Sequence, residues 1–178
     1  MTLSFDVVVG VAVWGCGDGV KPGAVIEDAP DQSDQMLVGM SHLLTTNGVV
    51  RAKIEADTTY ISSTQQVADL RRVRVTFYDA QGVPTSTLTS RTGTYHLRSG
   101  DMEGRGDVVV TTTDGRRLTT EVIRYDQAKD SVSSDQPFVF DAPDRHIEGE
   151  GFTSDPSFRN VVARRPRGAG GRFVLPNQ

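Results

Sequence analysis

Beyond Met36, apolar and polar residues alternate along most of the chain. From Arg51 to Thr58, Ala52, Ile54 and Ala56 fall on one side and Arg51, Lys53, Glu55 and Asp57 on the other. From Arg72 to Tyr78, Val73, Val75 and Phe77 share a face and charged or polar residues take the opposite one. Val108-Val-Val-Thr-Thr-Thr113 is β-branched throughout and runs into the turn pair Asp114-Gly115, a hairpin signal. Phe138-Val-Phe140 follows Pro137, a residue suited to a strand's start. His146 to Phe152 and Asn160 to Ala163 complete the series. No stretch of about 11 residues combines a helical period with helix caps. The pattern predicts an all-β chain folded as a sandwich or roll.

The strands repeat. Tyr60, Tyr95 and Tyr125 each close a strand of similar make-up, and Gly48, Gly82 or Gly115 supplies a turn before each. The tyrosines lie 35 and 30 residues apart, the size of one hairpin unit. A stack of hairpins makes a scaffold with an apolar interior, and nothing in the pattern forms a catalytic set. His42, His96 and His146 have no metal-ligand spacing. No nucleophile elbow, phosphate loop or dinucleotide fingerprint occurs, so no enzyme and no cofactor is expected. Asp101, Glu103 and Asp107, set among Gly100, Gly104 and Gly106, resemble a calcium loop or a carboxylate pair, but the repeat assigns them to a hairpin turn.

Charge sharpens the ends of this picture. The chain has 178 residues and a net charge of −4, which does not point to nucleic acid as a partner. The last 23 residues carry +5 and the remainder −9. A basic tail from 166 to 178, rich in glycine, reads as a solvated end, with an anionic membrane surface as the alternative contact. Residues 17–35 hold Pro22, Pro30 and five acids and read as a linker. Residues 1–16 are a short apolar leader, too short to span a bilayer as a helix. Val13-Trp-Gly-Cys16 resembles a bacterial lipoprotein cleavage box, which makes Cys16, the single cysteine, the candidate for lipidation. Trp14 is bulky for such a site, and Asp6 stands where basic residues are expected; an uncleaved leader and a buried first strand stay open beside it.

Three blocks in order carry a family resemblance. Thr113-Asp-Gly-Arg-Arg-Leu-Thr-Thr-Glu-Val-Ile-Arg-Tyr-Asp126 is followed by Val132-Ser-Ser-Asp-Gln-Pro-Phe-Val-Phe140 and then by Ile147-Glu-Gly-Glu-Gly-Phe152. This order resembles the LptC family of the bacterial lipopolysaccharide transport bridge, related to LptA/OstA-type domains. The resemblance covers about residues 36–165. It implies a twisted antiparallel β-jellyroll, open along one side, with lipopolysaccharide acyl chains held inside. It implies docking on an inner-membrane, LptBFG-like ABC transporter complex at one end and on an LptA-like periplasmic bridge protein at the other. Typical members carry a transmembrane helix at the N-terminus; a lipidated Cys16 would take its place, tethering a periplasmic protein to the inner membrane.

On that reading Val73, Val75, Phe77, Val108, Val110, Leu118, Val122, Phe138, Phe140 and Ile147 line the lipid groove. The residues alone fit a closed, dry core as well, and one bulge would turn Leu118 and Val122 away in favour of Ile123 and Tyr125. Gly149, Gly151 and Phe152 are expected to present the partner edge, because adjacent glycines let a second backbone approach closely. The rival is a surface carbohydrate-binding or adhesive β-sandwich lipoprotein, which calls for an exposed aromatic platform.

Overall fold

The computed structural model describes residues 33–167, so the leader, Cys16 and the end of the basic tail lie outside the described residues. Among these residues there are eleven β-strands and no helix. Six long strands form a meander: β1 (Gln35–Thr46), β2 (Val49–Ser62), β3 (Val67–Tyr78), β4 (Pro84–His96), β5 (Met102–Thr112) and β6 (Arg117–Asp126). Each pairs antiparallel with the next. Short strands follow: β7 (Ser131–Ser134), β8 (Phe138–Ala142), β9 (Arg145–Gly149), β10 (Phe152–Ser154) and β11 (Val162–Ala163). β7 pairs with the end of β6 and β8 with its start, so together they act as one broken strand. β9 and β10 lie outside them as a second broken strand. The sheet does not close on itself.

A line of irregularities crosses the sheet and folds it. Arg72 in β3 and Asp107 in β5 hold φ of 50° and 47°, left-handed values that non-glycine strand residues avoid. The β4–β5 register shifts between Thr89 and Thr92, and the β5–β6 register between Arg105 and Val108. Bulges of this kind bend a strand and reset which residues point inward. The buried positions of β3 pass from Ala68 and Leu70 to Val73, Val75 and Phe77. Those of β4 pass from Ser86, Leu88 and Ser90 to Gly93 and Tyr95. On the outer side of the bend, Arg72 pairs with Asp57, and Arg91 with Asp107 and Glu121. Here the sequence expectation needs a correction: Asp101 lies outside strand structure, but Glu103 and Asp107 are strand residues of β5. The glycines around them resemble a turn because a bulge and a turn draw on the same backbone conformations.

Where the last strands cross the bend they break instead of bulging. Side chains satisfy the backbone there: the Ser134 hydroxyl donates to the Val122 carbonyl at 2.6 Å, and the Thr120 hydroxyl to that of Pro137 at 2.9 Å. The bend divides the sheet into two walls. The first carries Ile54, Val75, Leu88, Val110, Leu118 and Phe140 on its inner face; the second carries Leu70, Tyr95, Met102, Ile123, Tyr125 and Val132. All twelve belong to one hydrophobic cluster.

Candidate functional site

The candidate groove is the space between these walls. The three tyrosines of the repeat all lie on the second wall and are buried. Tyr95 and Tyr125 join the central cluster, whereas Tyr60 sits outside it beneath the Arg71 guanidinium, 5.6 Å from the ring centre. Of the ten expected groove residues, Val73, Val75, Phe77, Val108, Val110, Leu118, Phe138, Phe140 and Ile147 are buried in the cluster. Val122 is buried but outside it, and Ile123 takes the inward place. Both are buried at adjacent positions because the inward phase of β6 changes between them.

The walls touch at the mouth, far from the bend. The ring of Phe77 on the first wall meets that of Tyr125 on the second, with centroids 5.3 Å apart and planes tilted by 58°. Arg51 of β2 reaches across to pair with Asp130 in the β6–β7 turn, and the Tyr125 hydroxyl donates to the same carboxylate at 3.0 Å. Burial first, and then the Asp130 charge, raise the Tyr125 phenol above its ordinary range, so it stays a donor. A second bridge joins His42 of β1 to Tyr95, with a 3.4 Å contact between ring nitrogen and hydroxyl. One cavity between the walls, bounded in part by Leu70, Val75, Phe77, Leu88 and Ile123, is about 20 Å³. That is room for about one water molecule.

A loop after β10 closes the same mouth, and sequence reasoning missed it. Phe158 is 1% exposed, holds φ of 53° and packs on Phe152. That backbone conformation is strained for a bulky residue and needs support. The Asp155 carboxylate gathers the backbone N–H groups of Ser157 and Asn160 at 2.8 and 3.0 Å. From the first wall, the Ser86 hydroxyl donates to the Pro156 carbonyl at 2.6 Å and Arg116 to that of Phe158 at 2.5 Å. Arg116 is itself held by Asp114, whose carboxyl the guanidinium draws down to about 2. The only signal in the sequence is the Asp-Pro-Ser-Phe run, which reads as an ordinary turn.

The expected partner edge is not bare. Gly149, Gly151 and Phe152 are buried, and the chain's own C-terminal segment lies over them. Phe152 pairs with Ala163 and Thr153 with Val162, while Glu148 and Arg167 exchange backbone hydrogen bonds of 2.9 and 2.6 Å. The close approach the glycines were expected to permit does occur, toward this segment. A Cβ on Gly149 would lie 2.9 Å from the Arg164 carbonyl oxygen, and one on Gly151 2.6 Å from its guanidinium. Among the described residues, the opposite edge carries no further strand on its outer side. There β1, the edge strand, exposes Met36, Leu37, Val38 and Leu43, apolar side chains spread over its two faces.

The family profile described as "Lipopolysaccharide-assembly, LptC-related" matches residues 22–161. The chain belongs to the LptC family. Its fold is similar to that in the crystal structure of LptH, the LptA-homologous periplasmic component of the conserved lipopolysaccharide transport device from Pseudomonas aeruginosa. That likeness has a TM-score of 0.51 and 21% identity, and covers 71% of this chain and 89% of the LptH chain. No curated protein sequence matches the chain. The LptC-type jellyroll is thus a bent antiparallel sheet whose two walls close on an apolar interior.

Proposed function

We propose that this LptC-family protein carries lipopolysaccharide through the periplasm by holding its acyl chains between the two walls. The observation that carries this is the way the walls are joined. They share a continuous sheet at the bend; at the mouth, among the described residues, they meet through side chains and the Phe158 loop. An apolar interior closed by such contacts opens without breaking a strand pair. Each acyl methylene that enters gains about 0.8 kcal/mol from leaving water. With about 20 Å³ free in that cavity, loading requires the walls to part at Phe77–Tyr125 and Arg51–Asp130. The headgroup stays outside, and the energy comes from a separate ATPase.

The exposed β1 edge is the docking site for the jellyroll of an inner-membrane LptBFG-like transporter, by addition of a strand to its free outer side. The other end hands the lipid to an LptA-like bridge protein. Lipidation of Cys16 tethers the chain to the inner membrane. The rival adhesive reading gains no support: the large apolar side chains exposed among the described residues are aliphatic, so they form no aromatic platform.

The test is site-specific photocrosslinking in cells. Phe77 and Phe140 face inward and Thr76 and Val139 are their more exposed neighbours. Replacing each in turn by p-benzoylphenylalanine should give lipopolysaccharide adducts at the inward pair. Equal labelling of both pairs, or of neither, rejects the groove.

A further inference from the structure

We propose that a polar cleft at the mouth is the headgroup site and takes a sugar bearing phosphate. The phosphate replaces Asp130 as the partner of Arg51 when the walls part, and Ser154, just inside, meets the acyl linkage. This rests on the reading above that lipid enters between the walls.

The cleft, of about 470 Å³, lies where both walls and the Phe158 loop meet. Small-ligand sites are of this size, roughly 300–1,000 Å³. The β3–β4 turn borders it from the first wall and Asp130 from the second, with Arg159 and Asn160 of the loop beside them. Arg159 has no carboxylate partner among the described residues. Arg51 is half-buried and pairs with Asp130. Its partner stands on the opposite wall, so opening the mouth separates the two charges. A guanidinium left unpaired there is costly, and a phosphate offers it two parallel acceptors. The other acids of the cleft are engaged. One oxygen of Asp79 accepts the N–H groups of Gln81 and Val83 at 2.9 and 2.8 Å, and Asp155 gathers its own loop. Their remaining lone pairs suit sugar hydroxyls, as do the Tyr78 hydroxyl and the Gln81 and Asn160 amides.

A second, independent observation lies just inside. Ser154 is 4% exposed, and its hydroxyl has no hydrogen-bond partner among the described residues. It precedes Asp155 of the cleft and shares the inward face of β10 with Phe152. It stands opposite Val132, which pairs in turn with Tyr125. A buried hydroxyl without a partner is costly in the lipid-free protein. At this depth it meets the ester or amide that joins an acyl chain to its sugar. Charge then selects the cargo. An apolar chain with no anion at its head opens the mouth only by stranding Arg51, and a phosphorylated glycolipid does not.

The experiment presents the full chain with an equimolar mixture of diphosphoryl, monophosphoryl and dephosphorylated lipid A in detergent, and compares the adducts by native mass spectrometry. Competition within one mixture cancels any general change in how easily the mouth opens. The native protein should favour diphosphoryl over dephosphorylated lipid by about tenfold, the effect of charge-assisted hydrogen bonds. Arg51→Gln/Arg159→Gln should abolish most of this preference. Asp130→Asn, which frees Arg51 without removing it, should keep or raise it, whereas a merely structural ion pair would make both variants behave alike. Ser154→Ala should lower the adducts of all three lipids by a common factor. Inorganic phosphate at the lipid concentration should displace none of them. Equal uptake of the three lipids by the native protein, a preference unchanged in the double variant, full uptake by Ser154→Ala, or displacement by inorganic phosphate would each overturn the proposal. Any of these, with Phe77 and Phe140 still crosslinking lipid, leaves the groove standing. Protein that forms no adduct and crosslinks at neither residue overturns both.

Discussion

Closure of the mouth is best tested through Phe77 and Tyr125, which stand on opposite walls and touch there. The perturbation is a double-mutant cycle of Phe77→Leu and Tyr125→Leu. Both rings are buried, at 1% and 5% exposure. Each replacement removes apolar surface equal to one or two methylenes, about 1–2 kcal/mol at about 0.8 kcal/mol per methylene. The Tyr125 change also removes a hydroxyl bond to Asp130, for roughly 1 kcal/mol more. The informative quantity is the coupling. A tilted ring pair at this distance contributes about 0.5–1.5 kcal/mol beyond area burial, so the double variant should be more stable than additivity predicts by that amount. Urea unfolding of the four proteins measures it, provided their m-values agree. Repeating the cycle with saturating lipid A should remove the coupling, because acyl chains then separate the rings. Additivity within about 0.3 kcal/mol in lipid-free protein would refute contact between the walls. Coupling unchanged by bound lipid would refute loading between them.

Arg116→Ala should release the Phe158 loop by removing its bonds to the Ser157 and Phe158 carbonyls; a loss of about 1–3 kcal/mol is expected, with faster uptake of a fluorescent lipid A in stopped-flow mixing. Gly149→Val should cost about 1–3 kcal/mol, read as a fall in melting temperature, because its Cβ meets the Phe138 ring at 2.6 Å. The Asp141 carboxylate, and then Glu148, raise the His146 imidazole above its ordinary 6.5. This contribution to stability is full below the unfolded value and is lost as pH rises through the folded one. An NMR titration should place the transition above 6.5, and Asp141→Asn should lower it. Charge at Phe138 is a poor probe of the groove: the ring is 3% exposed and packs at a tilt against Phe152, and an unpaired charge there would cost several kcal/mol and unsettle the fold.

Alternation, hairpin turns and the tyrosine repeat determined the all-β class and most inward residues from sequence alone. Such local signals survive because a strand with one buried face must alternate. The bend did not show. It involves Arg72 and Asp107 in left-handed backbone, a conformation that local sequence preference disfavours for non-glycine residues. For that reason Ile123 displaced Val122, and Glu103 and Asp107 became strand residues. The mouth was equally hidden, since Arg51 and Asp130 are 79 residues apart and Phe158 lies in an ordinary-looking turn. The late glycines were legible as places of close approach, but not what approaches them. Which backbone lies there is a matter of chain path, decided when the C-terminal segment returns across the edge. Sequence fixes which residues seek burial or pairing; tertiary structure decides where the sheet bends and whose side chains close it.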